Sequence, residues 1–156
     1  GEVSTRLPKC LLRVNGITLL ENWVKKLIIN EVKTIFVNTH HLHEQVSAEI
    51  KRIQGKYDVN LVELFEPVLL GTFKTLLNTY EKAHDDLLVV HCDNYSEIDI
   101  KEFLRSCSSS RKCISLSVFR PSREFVKYSG FFSFDSHGKP KEMGKRSNLF
   151  LSHRNS

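Results

Sequence analysis

Short apolar runs alternate along this chain with segments whose apolar residues recur at helical spacing. The stripe in Leu19–Asn30 predicts a helix, and the run Thr34–Val37 predicts a buried strand. The same reasoning predicts further helices over His43–Gln54, Gly71–Ala83 and Ile98–Cys107, and strands over Val59–Phe65, Leu87–Val90 and Cys113–Phe119. This alternation is typical of βαβ units and favours an α/β fold with a mainly parallel sheet. Beyond it, Gly130–Asp135 and Lys139–Met143 predict a hairpin.

The run Leu88–Asn94 is the most informative for function, because Asp93 and Asn94 follow an apolar strand. Ligands of open α/β sheets bind beyond the carboxyl ends of the strands. A carboxylate at that place is suited to a hard cation such as Mg²⁺. The competing interpretation is that Asp93 only caps a turn or the next helix.

A second pointer is the N-terminal segment, where Arg6 and Lys9 precede the apolar Leu11 and Leu12. An arginine fork and a lysine point charge both suit phosphate oxygens. Two basic residues in a loop are also often no more than a solvated surface.

Composition narrows the function classes. At 156 residues and 18.0 kDa, a single domain with its own core is expected. The net charge of +5 comes from scattered residues, which disfavours nucleic-acid binding and suits anionic small molecules. Four cysteines without metal-ligand spacing favour a reduced, cytoplasmic setting, and no apolar stretch predicts a membrane span. His40, His41 and His43 do not form a recognised ligand set.

Four blocks of the chain resemble the sugar-1-phosphate nucleotidyltransferases, in family order. They are the phosphate-loop segment Thr5–Gly16, the strand and helix Val37–Val46, the base-binding loop Glu66–Thr72 and the metal-binding strand end Val89–Asn94. The mannose-1-phosphate guanylyltransferase-like branch is the most similar, and the related hexose and heptose enzymes are the alternatives. The resemblance implies a Rossmann-like three-layer α/β/α fold, as one nucleotidyltransferase-like domain over residues 1–156.

The resemblance also implies an activity and a set of site residues. A nucleoside triphosphate and a sugar-1-phosphate would give a nucleotide sugar and pyrophosphate, with Mg²⁺ as cofactor and Asp93 as its ligand. Arg6 and Lys9 would act with Asp93 on the phosphates. Substrate contacts are expected from the base-binding loop, the strand end and the sugar pocket, at Glu66, Gly71, Thr72, Asn94, Gly130, Glu142 and Lys145.

Some family features are missing from this sequence. The family's first strand would precede Gly1, and its second metal-binding Asp would follow Ser156. Three explanations account for the missing features. The sequence is a fragment of a longer protein, it omits disordered residues of the protein, or the protein is a degenerate relative of the family. The alternative function is therefore a non-catalytic nucleotidyltransferase-like module for binding or regulation, with a nucleic-acid binder as a third class. No membrane partner is expected, and a homo-oligomer is an open expectation.

Overall fold

The computed structural model describes residues 6–83, 86–110, 115, 117, 130–136 and 140–145. The chain forms two compact units, Gly1–Arg111 and Lys112–Ser156. Among the described residues, no helix is both long and apolar enough to cross a membrane.

In the described part of the first unit, a short 3-10 helix, Lys9–Leu11, is followed by a small hairpin. Strands β1 (Arg13–Val14) and β2 (Ile17–Thr18) pair antiparallel around Asn15 and Gly16, whose φ angles are 52° and 83°. Asn-Gly is the usual pair for a tight turn that needs two positive φ angles. Neither of these strands was predicted from the sequence, so the hairpin is a new feature of the structure.

The helices of this unit lie close to their predicted positions. Helix α1 spans Leu19–Ile29, α2 spans His43–Gln54, α3 spans Thr72–Ala83 and α4 spans Ile100–Ser110. The Thr18 hydroxyl caps α1 by accepting a hydrogen bond of 3.0 Å from the Glu21 backbone N–H. Helix α4 starts two residues later than predicted, where Asp99 accepts from the Glu102 backbone N–H at 2.9 Å.

Strands β3 (Thr34–Thr39) and β4 (Asn60–Phe65) pair in parallel, from Thr34 opposite Asn60 to Thr39 opposite Phe65. Helix α2 connects them, which makes the expected βαβ unit. The carboxyl ends of both strands therefore meet at one edge. The Glu66 backbone N–H donates to the Thr39 carbonyl at 2.9 Å just beyond that edge.

Two apolar clusters hold the first unit together. The larger one joins α1 and α2 to the parallel strands and consists of Leu20, Val24, Val37, Val46, Ile50, Ile53 and Leu61. The smaller one joins α1 to α4 and consists of Trp23, Leu27 and Ile100. Burying such side chains contributes about 1.5–3 kcal/mol each.

The predicted strand Leu87–Val90 is wrong as a strand, because these residues are not in strand conformation and pair with no strand among the described residues. Leu88, Val90 and Cys92 still pack on the Trp23 cluster, while Val89, His91 and Asp93 are exposed. The strand was predicted from a continuous apolar run, as for a strand buried on both faces, whereas partly buried and exposed residues alternate from Leu88 to Asp93. A strand also needs a neighbour to share its backbone hydrogen bonds. No described residue supplies one for this segment.

The second unit contains an antiparallel hairpin of β5 (Gly130–Phe134) and β6 (Pro140–Lys145), close to the prediction. The pairing runs from Gly130 opposite Lys145 to Phe134 opposite Pro140, with an irregularity between Ser133 and Phe134. The predicted strand Cys113–Phe119 lies outside the described residues, apart from Ser115 and Ser117.

Candidate active site

Lys9 and Asp93, far apart in the sequence, lie side by side in the first unit. The Lys9 Nζ is 3.9 Å from an Asp93 carboxylate oxygen, and the two side chains are 64% and 41% exposed. An exposed pair at this distance contributes only about 0–1 kcal/mol to stability. The pair is therefore a solvent-accessible charged feature and contributes little to the stability of the fold.

The neighbours of these two residues also touch. Cys10 and Cys92 are both partly buried free cysteines, and their thiols interact electrostatically. The interaction with Cys92, together with burial, raises the pKa of the Cys10 thiol, and the same interaction lowers the pKa of Cys92. This contact joins the N-terminal loop to the segment that carries Asp93.

Arg6 lies three residues before Lys9 and is exposed. Its carbonyl accepts a hydrogen bond of 3.4 Å from Gln45 of α2. Next to it is an open cavity of about 580 Å³, lined by residues of the loop and of α2, among them Leu7, Arg13, Gln45 and Arg52. That volume is within the range of small-molecule sites.

The segment after β4 turns back over the end of the sheet. The Glu66 carboxylate accepts a hydrogen bond from the Leu70 backbone N–H at 3.2 Å and another from the Thr75 hydroxyl. The Thr75 hydroxyl, helped by Leu70, holds the pKa of Glu66 below its usual value. The Glu66 side chain is 7% exposed, so its carboxylate organises this loop from within.

Gly71 and Thr72 lead from this loop into α3. Gly71 has a φ of +83°, and a Cβ placed there would meet no atom within 4 Å. Glycine is therefore required by the backbone conformation and not by crowding in the described structure. A small cavity of about 220 Å³ lies beside the loop, lined in part by Glu66, Leu70 and Thr75.

The remaining predicted residues fall into two places. Asn94 belongs to a turn in which its backbone N–H donates to the His91 carbonyl at 3.1 Å. Gly130 and Lys145 face each other in the register of β5 and β6, and Glu142 faces Ser133. The structure thus brings together Lys9 with Asp93, and Gly130 with Lys145, each pair within its own unit.

Few metal-ligating side chains lie near Asp93 among the described residues. No group of three or more His, Cys, Asp or Glu in the described part of the chain could hold a metal ion. Asp93 supplies one exposed carboxylate, which fits Mg²⁺ only where substrate phosphates complete the coordination. Two of the three clustered histidines are engaged elsewhere, since His40 Nδ1 lies 2.7 Å from the Glu66 carbonyl and the centroid of the His43 ring lies 4.1 Å from that of Phe65.

Sequence reasoning missed three residues that shape this site. Trp23 and Lys26 of α1 contact the backbone just after Asp93, and His40 contacts the backbone of Glu66. An aromatic and a basic residue on an amphipathic helix are usually ordinary core and surface positions, so their spacing gave no signal.

Comparison with known proteins gives one family match and one similar curated protein. Residues 2–143 match the family model described as "Nucleotidyl transferase". The chain is 30% identical over 113 residues to a protein of Sulfolobus acidocaldarius named "Putative mannose-1-phosphate guanyltransferase". That match covers 67% of this chain and 31% of the relative. No solved structure gives a significant match.

Proposed function

Because this chain belongs to the nucleotidyl transferase family, we propose that it carries the nucleotide-binding part of a sugar-1-phosphate nucleotidyltransferase. The substrates would be a nucleoside triphosphate and a sugar-1-phosphate, and the products a nucleotide sugar and pyrophosphate. The chain spans less than a third of the curated relative it matches, so the activity is proposed for the protein as a whole.

The approach of Lys9 to Asp93 carries this proposal. Transfer of a nucleotidyl group needs positioning and charge stabilisation more than a covalent nucleophile. The Lys9 ammonium and the Asp93 carboxylate lie 3.9 Å apart on an open surface. A positive group for phosphate oxygens and a negative group for a cation are therefore available at one place. The family match supports the assignment of that point to phosphate chemistry.

In the proposed reaction, an oxygen of the sugar phosphate attacks the α-phosphorus of the triphosphate in line. The new P–O bond forms as the bond to the bridging oxygen breaks, and pyrophosphate leaves with the electron pair. Arg6 binds the triphosphate, and Lys9 stabilises the charge that develops on the transferred phosphate. Gly71 and Thr72 receive the base and ribose, while Gly130, Glu142 and Lys145 are proposed for the sugar.

Asp93 would hold Mg²⁺ with oxygens of the triphosphate. When bound, the ion would neutralise phosphate charge and orient the leaving group. The three-layer arrangement of the complete fold and a cytoplasmic location belong to the same proposal. The expected parallel pairing of β3 and β4 supports the former, and the free thiols of Cys10 and Cys92 support the latter.

The test is pyrophosphate release by the full-length protein with Mg²⁺, a panel of nucleoside triphosphates and a panel of hexose-1-phosphates. We expect Asp93→Asn and Lys9→Ala each to lower turnover by at least about 100-fold, as loss of a charge-stabilising group does. The matched controls are Asp58→Asn and Lys51→Ala, which alter exposed residues of the same types.

Unchanged turnover in both site variants would contradict the site assignment. Nucleotide binding without pyrophosphate release by the wild-type protein would instead indicate the non-catalytic module.

A further inference from the structure

The backbone that follows Asp93 is held by two side chains of α1. The Trp23 Nε1–H donates a hydrogen bond of 2.8 Å to the Asn94 carbonyl, and the Lys26 ammonium donates to the Ser96 carbonyl. The same ammonium lies 5.3 Å from the ring centroid of Tyr95 and 5.7 Å from that of Trp23. Cations at such distances from aromatic faces are attracted to them.

Helix α1 holds Trp23 in a rigid environment. Trp23 is 7% exposed and packs in a cluster with Leu27 and Ile100, which joins α1 to α4. Its neighbours on α1 belong to the larger cluster, and the helix is capped by Thr18. The indole N–H therefore has one defined position from which to donate.

The segment that Trp23 and Lys26 contact, residues 93–99, has little regular structure of its own. The segment from 93 to 99 lies in neither a helix nor a sheet, and Asp93, Asn94 and Tyr95 are exposed. Its described internal hydrogen bonds are those of the Asn94 N–H to the His91 carbonyl and of the Ile98 N–H to the Ser96 hydroxyl. Such a segment depends on contacts from outside for a fixed conformation.

We infer that Trp23 and Lys26 are positioning residues for Asp93. They fix the carbonyls of Asn94 and Ser96 and thereby the backbone that aims the carboxylate, although neither residue is placed against substrate. The inference rests on the proposed role of Asp93 at the metal–triphosphate. A ligating group must be held to within about 0.5 Å, and the residues behind metal ligands typically alter metal affinity by about 10–100-fold.

The first test measures backbone amide hydrogen exchange over residues 94–99 in the full chain. Trp23→Phe keeps an aromatic ring and removes the N–H donor, and Lys26→Met removes the ammonium. We expect the exchange of the Asn94 and Ile98 amides to become about fivefold faster in each variant, as the loss of one hydrogen bond allows. Lys25→Met is the matched control, since Lys25 is the adjacent, exposed lysine of the same helix.

The second test measures binding of the Mn²⁺–GTP complex by water-proton relaxation, without turnover. We expect about tenfold weaker binding for Trp23→Phe and Lys26→Met, partial recovery for Lys26→Arg, and no change for Lys25→Met. Asp93→Asn provides the reference for loss of the ligand itself.

The two measurements separate the possible failures. Unchanged exchange in both Trp23→Phe and Lys26→Met would overturn the anchoring. Faster exchange with unchanged Mn²⁺–GTP binding, or wild-type binding that does not depend on Asp93, would overturn the positioning role. If the variants behave as expected but the wild-type protein releases no pyrophosphate, the positioning inference stands and the transferase proposal fails.

Discussion

Glu21 is the most heavily engaged charged residue in the described part of the first unit. Its side chain is 1% exposed, and its carboxylate accepts hydrogen bonds from Lys56 at 2.8 Å, from Tyr57 at 2.9 Å and from Arg52. Burial raises the pKa of Glu21, but the bonds from Lys56, Arg52 and Tyr57 outweigh it and lower the pKa from 4.5 to about 2. The network ties α1 to the end of α2.

This network predicts a loss of stability in acid. Because the pKa of Glu21 is lower in the folded protein than in the unfolded chain, its contribution is complete above pH 4.5. The contribution is lost as the pH falls from 4.5 towards 2. We expect Glu21→Gln to lower the unfolding free energy at pH 7 by roughly 1–3 kcal/mol, below the cost for a fully buried pair because Arg52 and Lys56 are about half exposed.

Urea unfolding at pH 7 and at pH 3 measures both effects. The difference between the two pH values should shrink in Glu21→Gln, whereas the control Glu81→Gln, at an exposed position, should keep the wild-type difference. An equal pH dependence in wild type and Glu21→Gln would contradict the role given to the network.

At the scale of elements, the spacing of apolar residues predicted the bounds of the helices well, because helix formation depends largely on local sequence. The bounds of α2 agree with the prediction, and α1 and α3 differ from it by one residue at one end. The Leu87–Val90 strand was wrong because a continuous apolar run favours burial but does not show whether a neighbouring strand is present. The Asn15–Gly16 hairpin was missed although its turn residues carry the usual signal.

The residues of the candidate site could be named from sequence only where they lie in recognisable blocks, and their function stays a prediction. Lys9 and Asp93 were both named from sequence, and the structure adds that they lie 3.9 Å apart. The contacts of Trp23 and Lys26 with the backbone after Asp93 could not be predicted, because they join segments far apart in sequence and use backbone carbonyls that any residue provides.

Helix α3 differs from the other helices because its apolar face is not covered by described residues. Phe73, Leu77 and Tyr80 are 75%, 47% and 57% exposed, and Thr79 is the buried residue of the helix. We expect Leu77→Ala to change the unfolding free energy by less than about 0.5 kcal/mol, as is usual at a surface position. Ile53→Ala, at 0% exposure in the larger cluster, should cost about 2–5 kcal/mol.

Thermal or urea unfolding of the two variants makes the comparison. A cost for Leu77→Ala close to that for Ile53→Ala would mean that this face of α3 is covered in solution, either by other residues or by a second molecule.

At the scale of the molecule, both described apolar clusters lie within residues 1–111. We therefore expect residues 1–111 alone to unfold cooperatively, with a melting temperature within a few degrees of that of the whole chain. A shorter piece ending at residue 91 lacks Ile100 and thus part of the Trp23 cluster, and it should lose the cooperative transition.

Circular dichroism during heating of the two pieces and the whole chain checks this. A gradual, non-cooperative transition for residues 1–111 would show that its stability depends on residues 112–156. That outcome would also support the single domain predicted over residues 1–156.

Trp23 is the sole tryptophan of the chain, and its indole N–H is bonded to the residue next to Asp93. Indole emission depends strongly on what the N–H is bonded to, so the native protein has a built-in optical probe of the turn at Asn94. No label and no engineered chromophore is needed, and the ten phenylalanines and four tyrosines absorb at shorter wavelengths. The side chain that holds this turn is thus also the one that makes its movement visible in the fluorescence spectrum.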